Sequence, residues 1–184
     1  ERIGAELKKL LAAPDPAPAL AAMRQTGVLA AILPGADDRW IGMLVHFEAL
    51  LGVGPDWTLR LAALGGDDVD QRLRLSKADA KTLVLLRDAA FGPQGIAEIA
   101  YRKGADVAQG AALLRACIAE NPPETSMLET ILTSSSASFP VSAKDLMPAY
   151  SGQALGARLK LLEDHWIASG FSATRENLLN LPDS

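Results

Sequence analysis

The chain has 184 residues, a net charge of −4 and an apolar fraction of 49%, a composition typical of a globular protein with one or two small domains. Its single cysteine, Cys117, excludes an intramolecular disulfide and favours a reducing compartment, so we expect a cytoplasmic location. No apolar run approaches the roughly 18 residues of a membrane-spanning helix, and no membrane association is expected. Because the first residue is Glu1 rather than methionine, we expect the chain to be part of a longer protein.

The hydrophobic pattern is helical over the first 136 residues. Residues 1–13 have apolar side chains at the i, i+4, i+7 and i+8 spacing of one helix face, formed by Ile3, Leu7, Leu10 and Leu11. Further helices are predicted between start and stop signals. They run from Pro16 to Thr26, from Val28 towards Pro34, from after Asp38 to Gly52, from Pro55 to Gly65, from Ser76 onwards, and as a hairpin joined at Gly104.

The pattern changes after residue 136, where SSSAS resembles a linker. Ser142-x-x-Asp145 has the form of a capping box. A helix is predicted from about Gln153 to Ser169, after which Phe171 should fold back on Trp166.

These patterns predict an all-α fold. Packed antiparallel helices form a body over residues 1–136, and residues 137–184 form a small helical tail. The one clean alternation of apolar and polar residues is RLRL at 72–75, so a catalytic α/β head is not expected within this chain.

The stretch LGGDDVDQRLRLS at 64–76 has two possible interpretations. Asp68 and Asp70 could hold a metal for phosphoryl transfer, but that chemistry needs carboxylates on a strand supported by a sheet. Acidic residues are also common at helix starts, where they complement the helix dipole. We interpret the aspartates as a helix start.

Groups for other catalytic chemistry are scarce. His46 and His165 belong to no His or Cys cluster, so no zinc site is expected. The sequence contains neither a nucleophile elbow nor a Walker-type phosphate loop. We therefore predict no catalytic residue, metal site or cofactor in this chain.

The most basic window runs from residue 72 to residue 87. It contains five cations and one anion, Asp79, although the acidic balance of the whole chain argues against a nucleic-acid binder. Such a local patch can still attract phosphates, because exposed charges more than about 10 Å away are screened. The cations are Arg72, Arg74, Lys77, Lys81 and Arg87.

Both ends of the chain contain stretches that match a known family. The stretches are LRLAAL, RLRLS and FPVSAKDLM…SGQALGARLKLLEDHWIASGF, whereas residues 88–135 match loosely. The positions that match in order near the start are Glu1, Arg2, Ile3, Glu6, Leu7, Lys9, Leu10, Leu11, Gly27, Leu29, Ile32, Leu33 and Pro34. In these residues the chain resembles the bacterial class II tRNA nucleotidyltransferases, the CCA-adding enzymes, and the poly(A) polymerases related to them.

The resemblance implies an RNA-binding role. In the family, the catalytic head lies upstream in the same chain and uses Mg²⁺ with ATP or CTP, so the parent protein is expected to be an enzyme that adds CCA or poly(A) to RNA 3′ ends. The present chain corresponds to the end of the neck, the body and the tail, which hold the acceptor arm and elbow of tRNA. The choice between CCA and poly(A) addition stays open.

RNA contacts are predicted at two places, by phosphate contact rather than base readout. On the body they are Arg72, Arg74, Lys77 and Lys81, and on the tail they are Lys144, Gly152, Arg158 and Lys160. The alternative is a helical scaffold that contacts proteins and no RNA, which a large apolar patch on the folded surface would favour.

Overall fold

A computed structural model of the chain describes residues 2–182. Glu1 of the predicted first helix and the last two residues of the predicted tail lie outside the described residues. Over residues 2–182 the chain forms thirteen helices and no strand, which confirms the predicted all-α fold. In chain order they are α1 (Arg2–Leu11), α2 (Ala17–Gln25), α3 (Val28–Ile32), α4 (Ile41–Leu51), α5 (Trp57–Leu64), α6 (Val69–Arg72), α7 (Lys77–Phe91), α8 (Ile96–Lys103), α9 (Ala105–Ala119), α10 (Ser126–Ser135), α11 (Ala143–Leu146), α12 (Gly152–Ala168) and α13 (Arg175–Leu179).

The helix boundaries follow local capping chemistry. The Asp56 side chain accepts hydrogen bonds from the backbone N–H groups of Thr58 and Leu59 at the start of α5, as an N-cap does. Ser76 caps α7 by accepting from the backbone N–H of Asp79 at 3.1 Å. Gly52 ends α4 in the left-handed conformation, with φ at 66°.

A core of leucine and alanine side chains fills the body. Helix α9 lies at its centre, since α4, α5, α7, α8 and α10 all pack against it. Gly110 allows this close packing, because a β-carbon there would lie 2.6 Å from Leu86 of α7. Cys117 is fully buried in this core, and burial raises the pKa of its thiol to about 11, as expected for a structural rather than a reactive cysteine.

Only part of the apolar face of α1 is buried. Leu7 and Leu11 are buried, but the side chain of Ile3 is 56% exposed. Gly4 is buried instead, because it faces the carbonyl group of Leu73, and a β-carbon there would lie 2.1 Å from the carbonyl oxygen.

A buried ion pair holds the end of α1 in the body. Arg60 of α5 is 1% exposed, and one of its guanidinium nitrogens donates to the Glu48 carboxylate at 2.6 Å. Another donates to the carbonyl oxygens of Leu11, at 2.8 Å, and Ala13. Burial raises the pKa of Glu48, and the hydrogen bonds from Arg60 oppose that rise.

The tail has its own small core, built around Leu162 and Trp166 of α12. Phe171 folds back as predicted, with its ring centroid 4.9 Å from that of Trp166. Tyr101 of α8 also packs on this core, with its ring 5.4 Å from the Trp166 ring. Among the described residues, none of the helices has both the length and the apolar character that spanning a membrane requires.

Candidate nucleic-acid interface

The acidic stretch before the basic window is a helix start, as predicted. Asp68 is the N-cap residue of the short helix α6, and Asp70 lies in its first turn. Over residues 2–182 there is no group of three or more His, Cys, Asp or Glu side chains that could hold a metal.

The first two predicted RNA contacts lie on a tight turn between α6 and α7. Leu75 donates its backbone N–H to the Asp70 carbonyl at 2.9 Å, and Arg74 donates to the Gln71 carbonyl at 3.3 Å. These two bonds form a Schellman motif, in which the residue at the position of Arg74 is usually glycine. Arg74 adopts the left-handed conformation there, with φ at 49°. Its side chain and that of Arg72 are both exposed.

The next two predicted contacts lie on the first turns of α7. Lys77 and Lys81 are exposed and are four residues apart, so they share one helix face. The single acid of this window, Asp79, instead forms an ion pair of 2.5 Å with Lys8 of α1, which lowers the pKa of the Asp79 carboxyl. The negative charge of Asp79 is thus paired with a cation from outside the window, and not with one of the window's own cations.

The cations of the window are not compensated in this way. Among residues 2–182, no carboxylate lies within ion-pair distance of Arg72, Arg74, Lys77, Lys81 or Arg87. The chain as a whole is acidic, and many of its other cations are paired. The paired cations include Lys8, Lys9, Arg24, Arg39, Arg60, Arg102, Lys160 and Arg175. We call the exposed members Arg72, Arg74, Lys77 and Lys81 the basic turn.

Helix α1 contacts the basic turn at two points. Gly4 touches the backbone of Leu73, between the two arginines. One turn further along α1, Leu7 is buried and Lys8 reaches Asp79, between the two lysines. Helix α1 therefore packs directly against the segment that carries the basic turn.

The predicted tail contacts are less uniform. Lys144 of α11 and Gly152, the first residue of α12, are exposed, and Gly152 has φ at 53°. The side chain of Lys160 is 75% exposed and forms an ion pair of 2.9 Å with Asp164. The four body residues thus lie on the end of α6, the turn after it and the start of α7, whereas the tail residues lie on two helices of the second core.

Arg158 differs from the other seven predicted residues because it is only 7% exposed. Its guanidinium group donates hydrogen bonds to the carbonyl oxygens of Leu181 and Pro182 and lies 5.9 Å from the Tyr150 ring. These contacts hold the segment after α13 against α12. A phosphate could reach Arg158 only if that segment moved away.

The comparison with known families relates the first helices to RNA binding. Residues 1–39 match a family described as "Probable RNA and SrmB-binding site of polymerase A". This segment, which covers α1–α3, is thus related to an RNA-binding region of polymerase A. No curated protein and no solved structure gives a significant match to the chain.

The contacts between α1 and the segment of the basic turn were not predicted from the sequence. Nothing in the spacing of Lys8 and Asp79 links them, since they are 71 residues apart. Gly4 did indicate its contact with Leu73, because a glycine inside an otherwise regular helix is typical of a close packing contact. Glu48 and Arg60 are charged residues within apolar helices, and this pattern indicates the buried ion pair that they form.

Proposed function

We propose that this chain is the RNA-binding part of a template-independent nucleotidyltransferase that adds CCA or poly(A) to RNA 3′ ends. Its catalytic head, with Mg²⁺ and ATP or CTP, belongs to another part of the same protein, in the cytoplasm. The body and tail bind the phosphates of the RNA. The proposed substrate is tRNA, bound at its acceptor arm and elbow.

One observation carries this proposal. The basic turn has four exposed cations without an ion pair to any described residue, and it packs directly on α1 of the segment related to RNA-binding regions. Unpaired cations attract phosphates without reading sequence. Lys144, Gly152 and Lys160 supply a second set of contacts from the tail.

The proposal is tested by measuring tRNA binding by fluorescence anisotropy across a series of salt concentrations. The wild-type chain should bind with an affinity that falls steeply as salt rises, because phosphate contacts release counterions. The double variant Arg72→Ala/Arg74→Ala should bind more weakly. The slope of log affinity against log salt should fall by about one for each phosphate that the variant can no longer bind.

Lys103→Ala is the matched control for the removal of a cation. Lys103 lies at the end of α8, outside both predicted contact regions and outside residues 1–39. Its replacement should leave the salt slope unchanged. Binding that does not depend on salt, or an equal effect of the control and the double variant, would place the interface elsewhere.

A second candidate function, contact with a protein, is favoured by an apolar groove on the same segment. The groove has a volume of about 370 Å³ and is lined by α1, α2 and α3, with Ile3, Leu10, Met23 and Ile32 among its residues. The family description also names a protein partner. This function does not require the basic turn.

The two functions can be separated with Ile3→Ser. Because Ile3 is 56% exposed, the variant should fold as the wild type does and retain tRNA binding. It should weaken only the association with SrmB, measured by calorimetry with purified protein. Loss of tRNA binding in this variant would show that the groove belongs to the RNA interface.

A further inference from the structure

A hollow of about 380 Å³ lies between the loop before α4, the end of α5 and the last turns of α7. Its volume falls in the range of roughly 300–1,000 Å³ typical of small-molecule sites. Backbone hydrogen bonds of 2.8 Å join Asp37 to Leu64 and Asp67 to Pro34 across its floor. The floor is therefore a fixed surface rather than a loose loop.

Two glycines bring the loops of this floor together. Gly66 has φ at 119°, and a β-carbon there would lie 2.5 Å from the Leu33 side chain. Gly35 has φ at 76°, and its own β-carbon would lie 3.0 Å from the Asp67 carboxylate. Both positions need glycine, because side chains rarely adopt these conformations.

Aromatic rings and cations line the hollow. Phe91, at the end of α7, is 59% exposed although it is a large apolar residue. Trp40 is half-buried, and the Arg39 guanidinium lies 6.0 Å from its ring centroid. Arg87 faces the same space and has no ion pair with a described residue. Rings beside cations are the combination with which proteins bind unpaired bases.

A second hollow links this one to the segment that carries the basic turn. Arg87 and Gly66 also line a second hollow, bordered by Asp70 of α6 and Ala80 of α7. Asp70 comes shortly before Arg72 in the sequence, and Ala80 lies directly before Lys81, so both are neighbours of basic-turn residues. Because Ala80 and Arg87 of α7 both line the second hollow, a strand held by the basic turn would run along α7 to reach the first hollow.

We infer that this hollow binds one unpaired base of a single-stranded RNA segment, stacked against Phe91, with Arg87 at an adjoining phosphate. Asp67, which lines the hollow, can accept a hydrogen bond from an exocyclic amino group, which adenine, cytosine and guanine carry and uracil lacks. The inference rests on the proposed function, since it requires that the neighbouring turn binds RNA phosphates.

The test compares two RNA probes, a single-stranded 12-mer and a blunt duplex without unpaired bases, each measured with the wild type and with the variants. Phe91→Leu should weaken binding of the single strand by roughly 5- to 150-fold, the equivalent of about 1–3 kcal/mol for one stacked base. Binding of the duplex should not change. Phe91→Tyr keeps the ring and should restore the affinity for the single strand. A 2-aminopurine placed in the single strand should lose fluorescence on binding to the wild type and less so on binding to Phe91→Leu.

Leu132→Ala is the matched control, because Leu132 is also a largely exposed apolar residue, at 67%, and lies on α10. Equal binding of the single strand by wild type and Phe91→Leu would overturn the base site. The proposed function would then still stand if Arg72→Ala/Arg74→Ala weakened binding of both probes. If the wild-type chain bound neither probe, the proposed function and the base site would both be wrong.

Discussion

At the scale of single residues, two glycines inside helices have opposite roles. Gly4 of α1 is buried against the Leu73 carbonyl, whereas nothing lies within 4 Å of a β-carbon added at Gly156 of α12. The spacing of glycines in the sequence does not distinguish the two. The two glycines differ only in the folded structure, where Gly4 packs against the backbone of Leu73.

We predict that Gly4→Ala destabilises the chain and Gly156→Ala stabilises it. The added methyl group at Gly4 would overlap a backbone carbonyl, which cannot move as a side chain can, so the cost should be about 1–3 kcal/mol or more. At Gly156, alanine gains roughly 0.5–1 kcal/mol of helix propensity. Urea unfolding followed by circular dichroism measures both changes. Equal stability of the wild type and Gly4→Ala would show that Gly4 of α1 does not pack closely against the Leu73 carbonyl.

The buried pair of Glu48 and Arg60 gives a second prediction at this scale. Arg60→Met should destabilise the body by about 3–5 kcal/mol, because it leaves the Glu48 carboxylate buried without its partner. The double variant Glu48→Leu/Arg60→Met should be more stable than Arg60→Met alone, since no charge is then left in the core. It should recover only partly, because the carbonyl of Leu11 also loses its donor. Chemical denaturation of the wild type, Arg60→Met and the double variant measures their free energies of unfolding. A double variant less stable than Arg60→Met would contradict the prediction.

At the scale of helices, the sequence predicted much of the structure because capping and periodicity are local. The ends of α4 and α5, the hairpin of α8 and α9, and the fold-back of Phe171 all follow from signals within a few residues. The exposed face of α1 and the burial of Arg158 could not be predicted in this way. Both depend on a partner that is distant in the sequence, Leu73 for Gly4 and the segment 181–182 for Arg158.

The capping box at the start of α11 predicts how the tail responds to acid. Asp145 accepts hydrogen bonds from Arg175 at 2.7 Å and from the Ser142 backbone at 2.8 Å, and these hold the pKa of its carboxyl well below the usual value. A carboxyl group with a lowered pKa in the folded state stabilises that state above its unfolded pKa of about 3.9. The stabilisation is lost as the pH falls through the folded pKa.

Asp145→Asn should therefore melt at a lower temperature than the wild type at pH 7, and the difference should narrow as the pH is lowered to about 3, below the unfolded pKa. Near-ultraviolet circular dichroism measures this melting, with Trp166 contributing from the tail core and Trp40 and Trp57 from the body. Arg175→Ala removes the partner and should show the same narrowing. A difference from the wild type that stayed constant with pH would mean that Asp145 acts through packing alone.

At the scale of the whole molecule, a polar clamp links body and tail. Arg102 of α8 forms ion pairs with Glu163 at 2.9 Å and Asp164 at 2.8 Å, both on α12, and with Glu98 of its own helix at 3.0 Å. Tyr101 donates a hydrogen bond to Glu163 at 2.7 Å. The clamp holds α12, which carries Gly152 and Lys160, at a fixed position relative to the body. If both parts bind one RNA, this position sets how well they act together.

Arg102→Ala should consequently weaken binding of tRNA more than binding of a short single strand that reaches only the basic turn. Two linked sites raise affinity only while the geometry lets both engage at once, and removing the clamp frees the tail. Lys103→Ala, next to it on α8, removes the same charge but leaves the ion pairs to α12 in place. Anisotropy with both RNAs, on both variants, separates the effect of charge from the effect of geometry. If Arg102→Ala weakened both RNAs equally, or no more than Lys103→Ala did, then body and tail would not share one RNA.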